Sequence, residues 1–171
     1  MQKEEIKGII PEVRLPGAFG FNSNVLFVST KRLVFIQLTR GYQILIGGLV
    51  GAIFDTYRSK AGDKPITDPT ILKKINLDAL IRSKKSNKVI YLHGIKEIGI
   101  RRWLGAIKFS IFGFKKNKKK LLMDGFLIPP KNYFKRYKNA GFKPKEINRR
   151  YALEARNILV TVLFNRIKFD L

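Results

Sequence analysis

Hydrophobic residues fall into short runs along the chain, and the clearest pair lies between Val25 and Leu38. Residues 25–28 and 33–36 are apolar and mostly β-branched or aromatic, and the polar residues 29–32 separate them. This pattern is typical of two strands joined by a tight turn. A two-stranded hairpin is only marginally stable by itself, so the pattern predicts that these strands belong to a larger sheet.

A second group of strand patterns begins with the apolar run 89–92. Beyond it, apolar residues alternate with polar or small ones, which is the two-residue period of a half-buried strand. The alternation predicts strands over 95–102 and 107–114 with a turn at 103–106, and then a turn at 115–120 and a strand over 121–127. Together these segments predict an antiparallel meander.

The N-terminal residues 1–24 lack a clear period, because Pro11, Pro16, Gly17 and Gly20 interrupt any helix. Here we expect only an edge strand around residues 18–21.

Residues 42–54 are strongly apolar and glycine-rich, but they number fewer than the roughly 20 residues that cross a bilayer. On a helix, Gly47, Gly48 and Gly51 would form a smooth face that another backbone can approach closely. Two interpretations stay open. The segment is either a buried helix packed on the sheet, or a helix that contacts a membrane or a second copy and so forms a homo-oligomer.

Three further helices are predicted from capping residues and periodicity. Asp68 followed by Pro69 marks a helix start that continues to about residue 83, so residues 40–83 form a two-helix insertion. Pro129 and Pro130 open a helix that Gly141 ends. From Pro144 apolar residues recur three and four positions apart, although residues 157–171 fit a strand equally well. The C-terminal helical part therefore covers residues 129–165.

Charge adds the strongest functional indication. The 171 residues include 35 Lys and Arg against 12 Asp and Glu, a net charge of +23 and a pI near 10.5. A length of this order predicts a single domain over residues 1–171. Such a positive excess predicts a polyanionic partner, either an anionic membrane face or nucleic acid. The alternative, a lysine-rich solvated surface with ion-pair networks, normally brings matching glutamates, and these are scarce here.

The positive charge is concentrated between residues 84 and 120, where twelve Lys and Arg accompany one Glu. Trp103 follows two arginines, as an anchor at the headgroup level of a membrane would, although it could also be a core or turn residue. Likewise, the lysines of 115–120 could form nothing more than a solvated turn. The candidate anion- or lipid-binding residues are Lys31, Arg32, Arg101, Arg102, Trp103, Lys115, Lys116, Lys118, Lys119 and Lys120.

Nothing in the sequence indicates catalysis. There is no cysteine, so thiolate metal sites and thiol nucleophiles are excluded. His93 is the only histidine, and a lone histidine is more often a structural residue than a catalytic base. Glycine-rich phosphate-binding motifs are also absent. We therefore expect a protein that is not an enzyme and that has no metal site and no cofactor.

The order of these parts resembles the pleckstrin-homology-like and GRAM domains, and bacterial and archaeal pleckstrin-homology-like proteins in particular. The resemblance rests on residues 25–38, where Thr-Lys-Arg precedes Leu-Val-Phe, and on the strand pair VIYLHGIKEIGIRRW at residues 89–103. The helical insertion and a missing proline in the second segment depart from the family pattern. The resemblance implies an α+β fold: a curled antiparallel sheet, either barrel or sandwich, with a two-helix insertion and C-terminal helices.

The resemblance also implies basic loops that meet acidic headgroups, although many members of this family contact proteins instead. We therefore expect a non-enzymatic adaptor that binds acidic membrane lipid headgroups or a protein partner at the membrane. The absence of cysteine and of a secretory signal fits a cytoplasmic protein, peripheral at the cytoplasmic membrane face. The alternative is a basic protein that binds RNA or DNA without sequence specificity, through lysine–phosphate contacts and aromatic stacking.

Overall fold

The computed structural model describes residues 3–17, 20–38, 64–115 and 118–171. In chain order its strands and α-helices are β1 (Ile6–Gly17), β2 (Gly20–Ser29), β3 (Arg32–Gln37), α1 (Pro69–Leu72), α2 (Leu77–Arg82), β4 (Lys88–Tyr91), β5 (Ile95–Trp103), β6 (Ala106–Lys115), β7 (Lys118–Leu127), α3 (Lys131–Asn139), α4 (Pro144–Leu163) and β8 (Ile167–Asp170). Short 3-10 helices at Leu92–Gly94 and Phe164–Arg166 precede β5 and β8. The fold class is α+β, as predicted.

All eight strands join one sheet in the order β4–β3–β2–β1–β7–β6–β5–β8, and every neighbouring pair is antiparallel except β5 and β8. The sheet is strongly curled. Phe35 on β3 and Phe109 on β6 are four strands apart, which in a flat sheet means about 19 Å. Their ring centroids lie only 6.4 Å apart, so the two halves of the sheet face each other across a shared core.

The strand β2 and the strand β3 are buried on both faces, which explains their unbroken apolar runs. One face joins the main core with α4, through residues such as Leu26 and Phe35. The other face, with Phe27 and Val34, is covered by apolar residues of α1, α2 and the segments beside them. In contrast, β5 and β6 bury one face only and keep the predicted alternation.

The strand β1 corrects the expectation for the N-terminus. Residues 6–17 form a strand inside the sheet, between β2 and β7, where only an edge strand at 18–21 was predicted. Pro11 lies where the β1–β2 register shifts, between Ile10 and Val13, so its missing N–H interrupts no ladder bond. Of the predicted edge strand, residues 20 and 21 open β2, and residues 18 and 19 lie outside the described residues.

The predicted helix over residues 68–83 is divided into two. Asp68 caps α1 as expected, by accepting from the Thr70 N–H, but α1 ends after one turn. Asn76 then caps α2 by accepting from the Ala79 N–H. A second capping residue within the segment restarts the helix, so a continuous periodicity was the wrong interpretation.

The C-terminal helices are confirmed. The helix α3 ends at Asn139, and Gly141 (φ +88°) follows its C-cap, where the Gly141 and Phe142 N–H groups donate to the Lys138 and Tyr137 carbonyls. This is the Schellman arrangement. The helix α4 buries the predicted stripe that includes Ile147, Tyr151 and Leu159.

Residues 157–171, left open by the sequence, are helical to Leu163 and then return to the sheet as β8. The glycine-rich segment 42–54, with Gly47, Gly48 and Gly51, lies outside the described residues, as does most of the first half of the predicted insertion. Among the helices that are described, none is long and apolar enough to span a bilayer.

Candidate functional site

The hairpin of β5 and β6 ends in a two-residue turn, Leu104–Gly105, closed by the pair Trp103 and Ala106. Both turn residues have positive φ, +45° for Leu104 and +83° for Gly105. This is the pattern of a type I′ turn, in which Asn, Asp or Gly normally occupies the first position. A leucine there is strained by about 1–2 kcal/mol, and its side chain is nevertheless 86% exposed.

Three aromatic rings pack against one another next to this turn. The Trp103 ring lies 5.5 Å from that of Phe126 on β7, which lies 5.2 Å from that of Phe21 at the start of β2. Trp103 is 45% exposed and Phe21 56% exposed. These four residues, Phe21, Trp103, Leu104 and Phe126, are called the aromatic tip below.

The predicted cations Arg101 and Arg102 border the aromatic tip on β5. Strand alternation puts Arg101 on the same face as Trp103 and Arg102 on the opposite face. Both arginines are exposed, and neither forms an ion pair with any described residue. The tip therefore combines exposed apolar groups with two arginines that form no ion pair among the described residues.

A third cation near the tip is neutralised. Lys108 lies 5.8 Å from the centre of the Trp103 ring, and its Nζ forms an ion pair of 2.8 Å with Asp124. Burial acts to raise the pKa of Asp124, but hydrogen bonds from Lys108 and Ser110 outweigh it and hold the pKa below its usual value. Lys108 thus positions the indole and adds no free charge.

The lysines predicted to form a turn over 115–120 occupy a different structure at the other end of β6. Lys118, Lys119 and Lys120 belong to the strand β7, because their backbones pair with β6. Lys119 donates to Glu97 at 2.6 Å, and Glu97 also pairs with Lys168 on β8. The side chain of Lys115 and the whole of Lys116 lie outside the described residues.

The two predicted sets of cations are therefore mostly apart. Trp103 and Lys118 stand at opposite ends of hairpins that share the ten-residue strand β6, about 30 Å long at the usual rise. Arg101 and Lys119 do line one groove, of about 300 Å³, on the outer face of β5 and β6. Its other charged residues, Glu97, Lys168 and Asp170, offset much of the positive charge there.

The remaining candidates, Lys31 and Arg32, lie at the β2–β3 turn. Lys31 is exposed. Arg32 is only 13% exposed in its side chain, and its guanidinium donates to both Glu4 and Asp78. Because the Arg32 guanidinium is already paired with two carboxylates, Arg32 is not part of the candidate site.

Phe21 and Leu104 were not among the residues that the sequence predicted for the site. Leu104 was assigned to a turn, and a non-glycine residue in the first position of a type I′ turn was the signal that could have marked it. Phe21 reaches the tip only through the curl of the sheet, which no local pattern reveals. Among the described residues, no group of acidic or histidine side chains could hold a metal ion.

Comparisons with known proteins add little to this geometry. No family model matches the chain, and no curated protein matches it. Among solved structures, the chain is similar to the hSac2 domain from human phosphoinositide phosphatase Sac2, with a TM-score of 0.48 and 8% sequence identity over 100% of this chain and 78% of that chain. A similarity of that degree carries no argument about function.

Proposed function

We propose that this chain is a non-enzymatic binding module that attaches to an anionic membrane surface through the aromatic tip. The observation that carries the proposal is Leu104, an exposed leucine in a strained turn position beside Trp103 and two unpaired arginines. The two-residue turn requires a positive φ at this position, so an exposed leucine there, in place of asparagine or glycine, supports a functional role.

We also propose the finer fold assignment, a pleckstrin-homology-like domain. The curled antiparallel sheet, with α4 packed into its core, supports this assignment. In such an architecture the strand connections project from a rigid scaffold, which suits a tip that enters an interface.

The magnitudes favour reversible attachment. Each arginine near an anionic surface contributes about 1 kcal/mol, and transferring an exposed leucine out of water contributes about 1.5–3 kcal/mol. Their sum corresponds to a weak affinity, near the millimolar range. Trp103 adds to it because indole favours the headgroup level. We expect membrane attachment that depends on both salt and lipid charge.

Leu104 also favours a membrane over nucleic acid as the partner. A nucleic-acid surface offers phosphates to Arg101 and Arg102 and bases for Trp103 to stack on. It offers nothing comparable to an aliphatic side chain at the outermost point of the hairpin. A hydrocarbon interface does, since the free energy of transfer follows the apolar area removed from water.

Sedimentation with lipid vesicles tests the proposal. Vesicles of phosphatidylcholine alone are compared with vesicles that also contain phosphatidylserine, at low and high salt. We expect retention on the anionic vesicles only, weakened by salt, and lost in the double variant Arg101→Gln/Arg102→Gln. The matched control is Lys118→Gln/Lys120→Gln, which removes the same charge at the far end of the hairpins.

Equal losses from the two double variants would mean that net charge, and not the tip, drives binding. Retention of duplex RNA or DNA in the absence of any vesicle binding would assign the protein to the nucleic-acid class. Either result would overturn the proposal.

A further inference from the structure

The strand β4 ends the sheet, and its outer edge carries unpaired backbone groups among the described residues. The Leu92 N–H donates to the Lys31 carbonyl at 2.9 Å, and this bond continues the β3–β4 register. Because hydrogen-bonded and non-bonded pairs alternate along antiparallel strands, the N–H and C=O groups of Val89 and Tyr91 point away from β3. This edge can accept another strand.

A groove of about 570 Å³ runs beside that edge. Its lining includes Val89, Tyr91 and His93 together with Leu122 and Met123 of β7. Tyr91 is 52% exposed and its ring stacks on that of His93 at 5.7 Å. The strand β1 pairs with β7 only at Phe126 and Leu127, so the described residues leave the first part of β7 unpaired on this side.

The surroundings of the groove are positively charged. Lys88 lines it, and none of its described lining residues is acidic. Lys31 lies on the turn that bonds to Leu92, and Lys120 pairs across the sheet with Gly113, which adjoins the Gly94 carbonyl. The apolar floor and the basic border together fit a strand whose side chains alternate between apolar and acidic.

We propose that β4 binds an extended acidic peptide segment of a partner protein, which adds to the sheet as a further strand. The backbone of the peptide bonds to Val89 and Tyr91, its apolar side chains contact Leu122 and Met123, and its carboxylates face the lysines. Main-chain bonds of this kind supply affinity, and alternate side chains supply specificity. The site does not depend on the aromatic tip.

The experiment uses the full chain and a fluorescent synthetic peptide of alternating valine and glutamate, with binding followed by anisotropy. Two variants separate the side chain of Tyr91 from its backbone. Tyr91→Ala and Tyr91→Pro both remove the ring, but only proline removes the outward N–H. Proline fits here, because the φ of Tyr91 is −73° and its N–H has no partner in β3.

We expect Tyr91→Pro to bind about five- to tenfold more weakly than Tyr91→Ala, as loss of a main-chain hydrogen bond predicts. A valine–lysine peptide should not bind. Hydrogen exchange at the Val89 and Tyr91 amides should be fast in the free protein and slow in the complex. This readout stays informative even if the proline variant misfolds.

Four results would overturn the proposal. They are equal binding by the two variants, no binding of the acidic peptide, protection of both amides in the free protein, and a dimer that pairs through β4. Amide protection without peptide would mean that the edge is already covered, and a dimer would make a second copy the occupant. Vesicle binding by the aromatic tip is unaffected by any of these results, so the two proposals fail separately.

Discussion

The Tyr151 hydroxyl on α4 bonds to both backbone polar groups of Glu12 on β1. It accepts from the Glu12 N–H at 3.0 Å and donates to the Glu12 carbonyl at 3.3 Å. Glu12 lies where the β1–β2 register shifts, so its backbone lacks the ordinary ladder partner. The fully buried tyrosine thus replaces the missing strand bonds and ties the longest helix to the N-terminal strand.

Tyr151→Phe should therefore destabilise the protein by about 1–3 kcal/mol, because it leaves two partly buried backbone groups without a partner. Urea unfolding followed by circular dichroism measures the change. Tyr133→Phe is the control. The Tyr133 hydroxyl is as deeply buried, but it donates to Glu154, whose carboxylate is partly exposed and can turn to water. A loss in the control as large as in Tyr151→Phe would contradict the role given to Tyr151.

Leu104→Asn should separate stability from function. Asparagine is favoured at the first position of a type I′ turn, so relief of the strained leucine should stabilise the protein by about 1 kcal/mol. Binding to anionic vesicles should fall, since the apolar group at the end of the hairpin is gone. Thermal unfolding and vesicle sedimentation on the same samples measure both effects. A variant that is more stable and binds as well as the wild type would remove Leu104 from the site.

Arg32 and Lys31 are neighbours in sequence but should behave oppositely when neutralised. Arg32→Gln leaves Glu4 and Asp78 without their shared guanidinium and should cost about 1–3 kcal/mol of stability. Lys31→Gln removes an equal charge from an exposed side chain and should change stability by less than about 0.5 kcal/mol. Chemical unfolding of the two variants gives the comparison. Equal stabilities would show that the Arg32 network is not structural.

The strands that the sequence predicted well are those in which the local pattern of apolar and polar residues reflects which faces of the strand are buried. The doubly covered β2 and β3 read as continuous apolar runs, and the singly covered β5 and β6 alternate. The strand β1 was not predicted, because Pro11, Pro16 and Gly17 normally end regular structure. Only the shift in the β1–β2 register and the Tyr151 hydroxyl accommodate Pro11 within a strand. That accommodation is tertiary, so the local sequence does not contain it.

The site was predictable only in part, for the same reason. Arg101, Arg102 and Trp103 stood out because charge and an aromatic ring were adjacent in sequence. Phe21 joins Trp103 through Phe126, across strands far apart in the chain. Arg32 was wrongly predicted to be a free cation. In the structure its guanidinium donates to Glu4 and Asp78, which are distant in sequence.

Glu97 on β5 provides a prediction for pH. Its carboxylate accepts from Lys119 at 2.6 Å and pairs with Lys168 at 3.1 Å. The hydrogen bond from Lys119 is the main cause that lowers the pKa of Glu97 below its usual 4.5, against a smaller opposing effect of burial. A carboxylate with a lower pKa in the folded than in the unfolded protein binds fewer protons when folded, so it stabilises the fold only where it is ionised.

Glu97→Gln should accordingly reduce the free energy of unfolding above the usual pKa of 4.5, by about 0.5–1 kcal/mol as for other partly exposed ion pairs. The difference from the wild type should shrink as the pH falls from there through the lowered folded-state pKa, because the wild-type carboxyl then becomes protonated too. Urea unfolding at a series of acidic pH values gives this difference. Asp170→Asn removes an equal charge from the same groove without breaking an ion pair among the described residues, so its effect should be smaller. A Glu97→Gln difference that stayed constant through the acid range would mean that the lysine pairs do not act through the ionised carboxylate.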